Sequence, residues 1–99
     1  MASENLSSRE LPYSTEAEKA VLGGIMLKNE TWDIISDLVK EDDFHKEEHK
    51  LIYRTINNLQ DEGKPVDVIT VQEAIEGNGD LPKLINSGGK DYLTLLARE

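Results

Sequence analysis

The segment Ser14-Thr15-Glu16-Ala17-Glu18-Lys19-Ala20-Val21-Leu22-Gly23-Gly24-Ile25-Met26-Leu27 joins a helix start to an eight-residue apolar run that contains two adjacent glycines. Thr15 with Glu18 three residues on has capping-box spacing, which satisfies two backbone N–H groups and places negative charge at the positive helix end. Glycine costs about 1 kcal/mol against alanine in a helix interior. The pair Gly23-Gly24 therefore predicts that another backbone passes too close for a β-carbon, and the segment reads as a buried helix whose residues serve packing.

Outward from that helix, the chain of 99 residues is long enough for one core and one domain. It contains no cysteine, which excludes disulfides and thiolate metal sites and fits a reducing, cytoplasmic setting. Twenty Asp and Glu against eleven Lys and Arg give a net charge of −9, the wrong sign for a surface that tracks phosphates. Direct nucleic-acid contact is not expected. The longest apolar run falls far short of the ~20 residues of a membrane-spanning helix, and residues 1–11 lack the apolar stretch of a signal peptide.

Residues 1–11 are polar and without period, and read as a mobile leader that ends where Pro12 fixes the backbone. A second helix is expected after Asn29, with Asn29 as its cap and Trp32, Ile35, Leu38 and Val39 on one face, Trp32 in the core. Lys40-Glu41-Asp42-Asp43 is a solvated corner. Phe44 after it folds back as an apolar anchor. His49, Ile52, Tyr53, Ile56 and Leu59 follow helical spacing over residues 46–62, and Gly63 stands where a left-handed cap is wanted before Pro65.

Val66-Asp67-Val68-Ile69 reads as an extended connector, with no second strand to pair with it, and Thr70 with Glu73 offers another capping box for a helix ending near Gly77. Residues 77–80 form a turn, residues 81–85 a short helix, and Ser87-Gly88-Gly89 a break that lets Tyr92 and Leu93 reach the core. A last helix carries Tyr92, Leu93, Leu95 and Leu96. It is followed so closely by Glu99 that the native protein is expected to continue. The expectation is an all-α compact bundle of about six helices, two of them short, with no sheet.

Candidate chemistry is sparse. His45-Lys46-Glu47-Glu48-His49 matches the H-x-x-E-H pattern of inverted zinc proteases, in which two histidines one turn apart hold zinc and the glutamate activates water. Such a site needs a third ligand and a cleft. The competing reading makes His45 an exposed residue at the helix entry and His49 a buried one bonded to a neighbour, with no metal, cofactor or catalytic residue assigned. Gly23-Gly24, Gly77 with Gly79, and Gly88-Gly89 all lack the lysine and hydroxyl residue of a nucleotide-binding loop. Gly88-Gly89 before a helix has the backbone for an anion, but Asp91 opposes one there. Ser7, Ser8 and Ser14 have no base partner.

Taken in order, Pro12 with Ser14, Glu16-Ala17-Glu18, Val21-Leu22-Gly23, Asp43-Phe44, His49 with Ile52, Gly63-Lys64-Pro65-Val66-Asp67 with Thr70, and Gly88-Gly89 with Tyr92-Leu93 and Leu96 carry a resemblance. Over residues 11–98 the chain resembles the N-terminal domain of bacterial replicative DNA helicases of the DnaB type. It departs from that pattern at His45, at Ser87 and in a stretch over residues 81–88 about three residues longer than usual. The resemblance implies a non-catalytic helical head, over residues 12–99, in the collar of a hexameric ring. Its implied partners are copies of itself, primase and a helicase loader. The helical hairpin, linker and motor domain, with its ATP and magnesium, lie outside these residues. A generic acidic interaction module, or a small zinc enzyme using His45 and His49, are the alternatives.

Overall fold

In the computed structural model, which describes residues 15–89 and 91–98, α1 spans Thr15–Leu27, α2 Thr31–Leu38, α3 Glu47–Asp61, α4 Val68–Gly77 and α5 Asp91–Arg98. Short 3-10 segments lie at Glu41–Asp43 and Leu81–Ser87. The described residues contain no strand. The expected count of six helices is corrected to five α-helices, because the piece after Asp80 is 3-10. The leader expected over residues 1–11, with Pro12 and Ser14, lies outside the described residues.

The longest helix, α3, is the axis of the core. Its Leu51, Ile52, Tyr53, Ile56 and Leu59 are buried, each worth roughly 1.5–3 kcal/mol when removed from water. They pack with Leu22, Ile25 and Met26 of α1, Val71 and Ile75 of α4, and Leu93 and Leu96 of α5. α1 lies against both α3 and α5, and α4 closes the other side against the same two helices. Phe44, with 1% of its surface exposed, anchors the turn before α3.

Gly23 shows why α1 needs its glycine. A β-carbon there would stand 2.1 Å from the carbonyl oxygen of Leu96, inside any tolerable contact. Gly24 is different: nothing lies within 4 Å of the corresponding position, so the expected close approach holds for the first glycine alone.

Two helices end in the same way. After α3, Gly63 at φ 73° lets its N–H reach Gln60 O and the Lys64 N–H reach Leu59 O. After α4, Gly79 at φ 76° does the same with Glu76 O, while Asp80 N–H reaches Ile75 O. These are Schellman closures, which satisfy otherwise unpaired carbonyls.

Three expected caps are displaced. α4 begins at Val68, not after Thr70: Asp67 accepts from Thr70 N–H at 2.9 Å, and Thr70 Oγ1 accepts from Asp67 N–H at 2.9 Å. This reciprocal box sits one turn earlier because Asp67 is the stronger N-cap. Asn29 does not cap α2. Its amide donates to Ile25 O and Val66 O and accepts from Val66 N–H, tying the α1–α2 turn to the extended segment after Pro65. Glu18 does not cap α1; it points into the core.

Helix α2 also corrects an expected face. Trp32 and Ile35 pack partly against the core and Val39 is buried, but Leu38 is 56% exposed. The inner row runs through positions 32, 35, 36 and 39, which turns Leu38 outward. The corner after it folds as a 3-10 turn, held by Asp43 accepting from Lys40 N–H at 2.8 Å and by Arg54 paired with Glu41 at 2.9 Å.

Candidate functional site

On α1, the buried row Glu18, Leu22, Ile25 and Met26 carries a carboxylate at its first position. On α3, the buried row opens with His49, and on α5 with Tyr92. The three polar side chains meet. Glu18 Oε1 lies 2.6 Å from His49 Nδ1, and His49 Nε2 lies 2.5 Å from the Tyr92 hydroxyl. Glu18 also accepts from the backbone N–H of His45 at 2.8 Å and of Lys46 at 3.5 Å.

The donor and acceptor inventory assigns the protons. An ionised carboxylate only accepts, so Nδ1 of His49 carries hydrogen, and the neutral ring offers its Nε2 lone pair to the Tyr92 O–H. Burial alone raises the Glu18 carboxyl, but the bonds from His49, His45 and Lys46 outweigh it and hold the group below its ordinary value. Burial pushes the His49 imidazole down, and the Glu18 bond recovers only part of that shift. Burial, with the charges of Glu48, Glu18 and Glu16, pushes the Tyr92 phenol up to about 12. At neutral pH the set is carboxylate, neutral imidazole and neutral phenol.

Glu18 thereby places negative charge at the entry of α3, where Lys46 supplies no side-chain cap of its own. Aromatic rings continue the row: His49 lies flat to Tyr92 at 5.8 Å and edge-on to Phe44 at 6.3 Å, and Phe44 meets Tyr53 at 5.0 Å. The Lys46 ammonium stands 5.8 Å above the Tyr92 ring.

Chemically this arrangement joins three helices. Glu18 and His49 have 1% and 0% of their surfaces exposed, so no substrate reaches them. His45 is exposed and reaches Glu18 through its backbone N–H, and the described residues hold no group of three metal-ligating side chains. Gly88 and Gly89, at φ 113° and 63°, form the turn from which Gly89 N–H reaches Leu84 O, and Tyr92 and Leu93 enter the core just after it. Sequence reasoning missed Glu18 as the partner of His49. The signal was its place in the apolar row of α1, where a charge needs a buried partner.

This head of five helices knotted by Glu18, His49 and Tyr92 has counterparts. Residues 10–99 match the family described as the DnaB-like helicase N terminal domain. The chain belongs to that family. It is 45% identical over 87 residues to the replicative DNA helicase DnaB of Buchnera aphidicola subsp. Schizaphis graminum, covering 88% of this chain and 18% of the relative. It is 40% identical over 92 residues to the replicative DNA helicase DnaC of Bacillus subtilis, covering 93% of this chain and 20% of the relative. The crystal structure of the N-terminal domain of DnaB helicase from Mycobacterium tuberculosis superposes with a TM-score of 0.81 at 29% identity, over 90% of this chain and 60% of that one. The chain thus spans about a fifth of the length of the curated relatives it matches.

Proposed function

We propose that this DnaB-type domain is a non-catalytic collar: residues 12–99 pack with copies of themselves in a hexameric ring and dock primase, with a helicase loader as a further partner. The supporting observation is the family match over residues 10–99 in a chain whose buried cluster of Glu18, His49 and Tyr92 is closed to substrate. The charge of −9 agrees with a surface that meets proteins and repels DNA phosphates. ATP and magnesium are assigned to the motor beyond these residues, since the glycine pairs here lack a phosphate-binding lysine. No described helix is long and apolar enough to cross a membrane, and the reading places the protein in the cytoplasm.

The test is a calorimetric titration of the chain with the C-terminal domain of the cognate primase, beside one with single-stranded DNA at moderate salt. Saturable binding of primase and none of DNA is expected. Binding of DNA without primase would overturn the docking role.

A further inference from the structure

Helix α2 is the one described α-helix with no fully buried residue. Its outer half is sharply divided. At 100° per residue, Glu30, Asp33 and Asp37 fall on one strip and Ile34 and Leu38 on the strip beside it. Ile34 is 65% exposed and Leu38 56% exposed. All three acidic residues are exposed, and their carboxylates have no hydrogen-bonding or ion-pairing partner among the described residues.

The apolar strip is left in water, and the helix dipole offsets the charge of Glu30 and Asp33 at the start of α2 but not that of Asp37. Asp33 and Asp37 are a like-charge pair at i,i+4, which destabilises a helix by a few tenths of a kcal/mol. The helix carries no lysine or arginine to offset them. The cations before and after it do not reach them: Lys40 donates to Ser36 O at 2.7 Å, and Lys28 makes no ion pair.

We propose that the outer face of α2 is a docking site for a cationic amphipathic helix, which seats its apolar side chains on Ile34 and Leu38 and sets lysine or arginine against Glu30, Asp33 and Asp37. Charge decides the occupant. A second copy of this chain brings no cation from its own α2 and opposes one charge of −9 with another. A cationic helix relieves the acidic strip and covers the apolar one in a single contact, the helix-on-groove mode with anchors at i and i+4. The inference stands on this surface alone and is independent of whether primase binds.

The probe is a synthetic helical peptide of leucine and lysine with leucines at i,i+3 and i,i+4 spacing, titrated into the isotope-labelled 99-residue chain and followed by backbone amide shifts. A peptide of the same composition with the leucines dispersed is the control. Shifts concentrated on residues 30–38 are expected, with at least about tenfold weaker binding for I34Q with L38Q, as for loss of central apolar anchors. D33N with D37N is expected to weaken binding about threefold or more and to flatten its salt dependence. Thermal unfolding of both double variants should stay near that of the parent, since none of the four residues is buried. Equal binding of the dispersed peptide, shifts centred on another helix, or unaltered binding by I34Q with L38Q would overturn the proposal. So would concentration-dependent dimerisation that I34Q with L38Q abolishes, since the occupant would then be a second copy.

Discussion

Two neighbouring glycines in α1 should respond to the same substitution with opposite signs. Gly23→Ala sets a methyl carbon 2.1 Å from Leu96 O, against a practical floor of 3.0 Å, and that oxygen belongs to backbone that cannot rotate away. α1 and α5 must therefore separate by about 1 Å, and a clash this close with backbone stands at the upper end of overpacking costs, about 3 kcal/mol. The helix-propensity gain of about 1 kcal/mol offsets part of it. A net loss of about 2 kcal/mol is expected, a large share of the 5–15 kcal/mol typical of a domain. Gly24→Ala meets nothing within 4 Å in an ordinary helical backbone, so it keeps the gain and should stabilise by up to about 1 kcal/mol. Urea unfolding of the parent and both variants, with a common slope, measures the difference. If Gly23→Ala were neutral or stabilising, the close packing of α1 on α5 would be refuted.

The buried triad makes the domain acid-sensitive, and the sign follows from the two depressed groups. As pH falls through 6.5 the unfolded chain protonates His49 before the folded one does, so stability drops, with a limiting slope of about 1.4 kcal/mol per pH unit. Glu18 adds a second loss below 4.5, where the unfolded carboxyl protonates first. Denaturation midpoints from pH 8 to 4 should be flat above about pH 7 and fall below it; a rise on acidification to pH 5.5 would contradict the proton assignment. Glu18→Gln, which gives up the charge-assisted bonds and sets an amide N–H against one of the N–H donors, should lose about 2 kcal/mol at pH 7.5. Asn29→Ala removes both bonds to Val66 and should lose about 2 kcal/mol in thermal unfolding. Asp67→Ala should cost about 1 kcal/mol through the α4 cap, with Asp67→Asn near neutral.

Local pattern carried the sequence reading furthest. The apolar rows of α3 and α5, the glycine after α3 and the anchoring Phe44 all follow from spacing within a few residues. What spacing does not resolve is competition. Residues 32, 34, 35 and 38 of α2, with 39 just after it, bring five apolar side chains, and only packing decides that Val39 turns in while Leu38 turns out. Asn29 and Glu18 were both legible as caps, since each has the right type at the right offset. Tertiary partners claimed them instead: Val66 is 37 residues from Asn29, and His49 is 31 from Glu18. The clue in each case was a polar residue in line with an apolar row. Asp67 won over Thr70 as the start of α4 because aspartate is the better acceptor at an N-cap.

The grip of Asn29 on Val66 has an effect beyond stability. An amide side chain holds a donor and an acceptor side by side, so Asn29 completes, with a single residue, the pairing that a neighbouring strand would otherwise supply at Val66. The stretch at Val66 is β-branched and finds no sheet among the described residues to absorb it. Because its N–H and C=O are both already taken, it presents no open edge onto which a second chain could add a strand, a standing hazard for exposed extended segments. Copies of the chain at high concentration can then lie side by side without zipping together there.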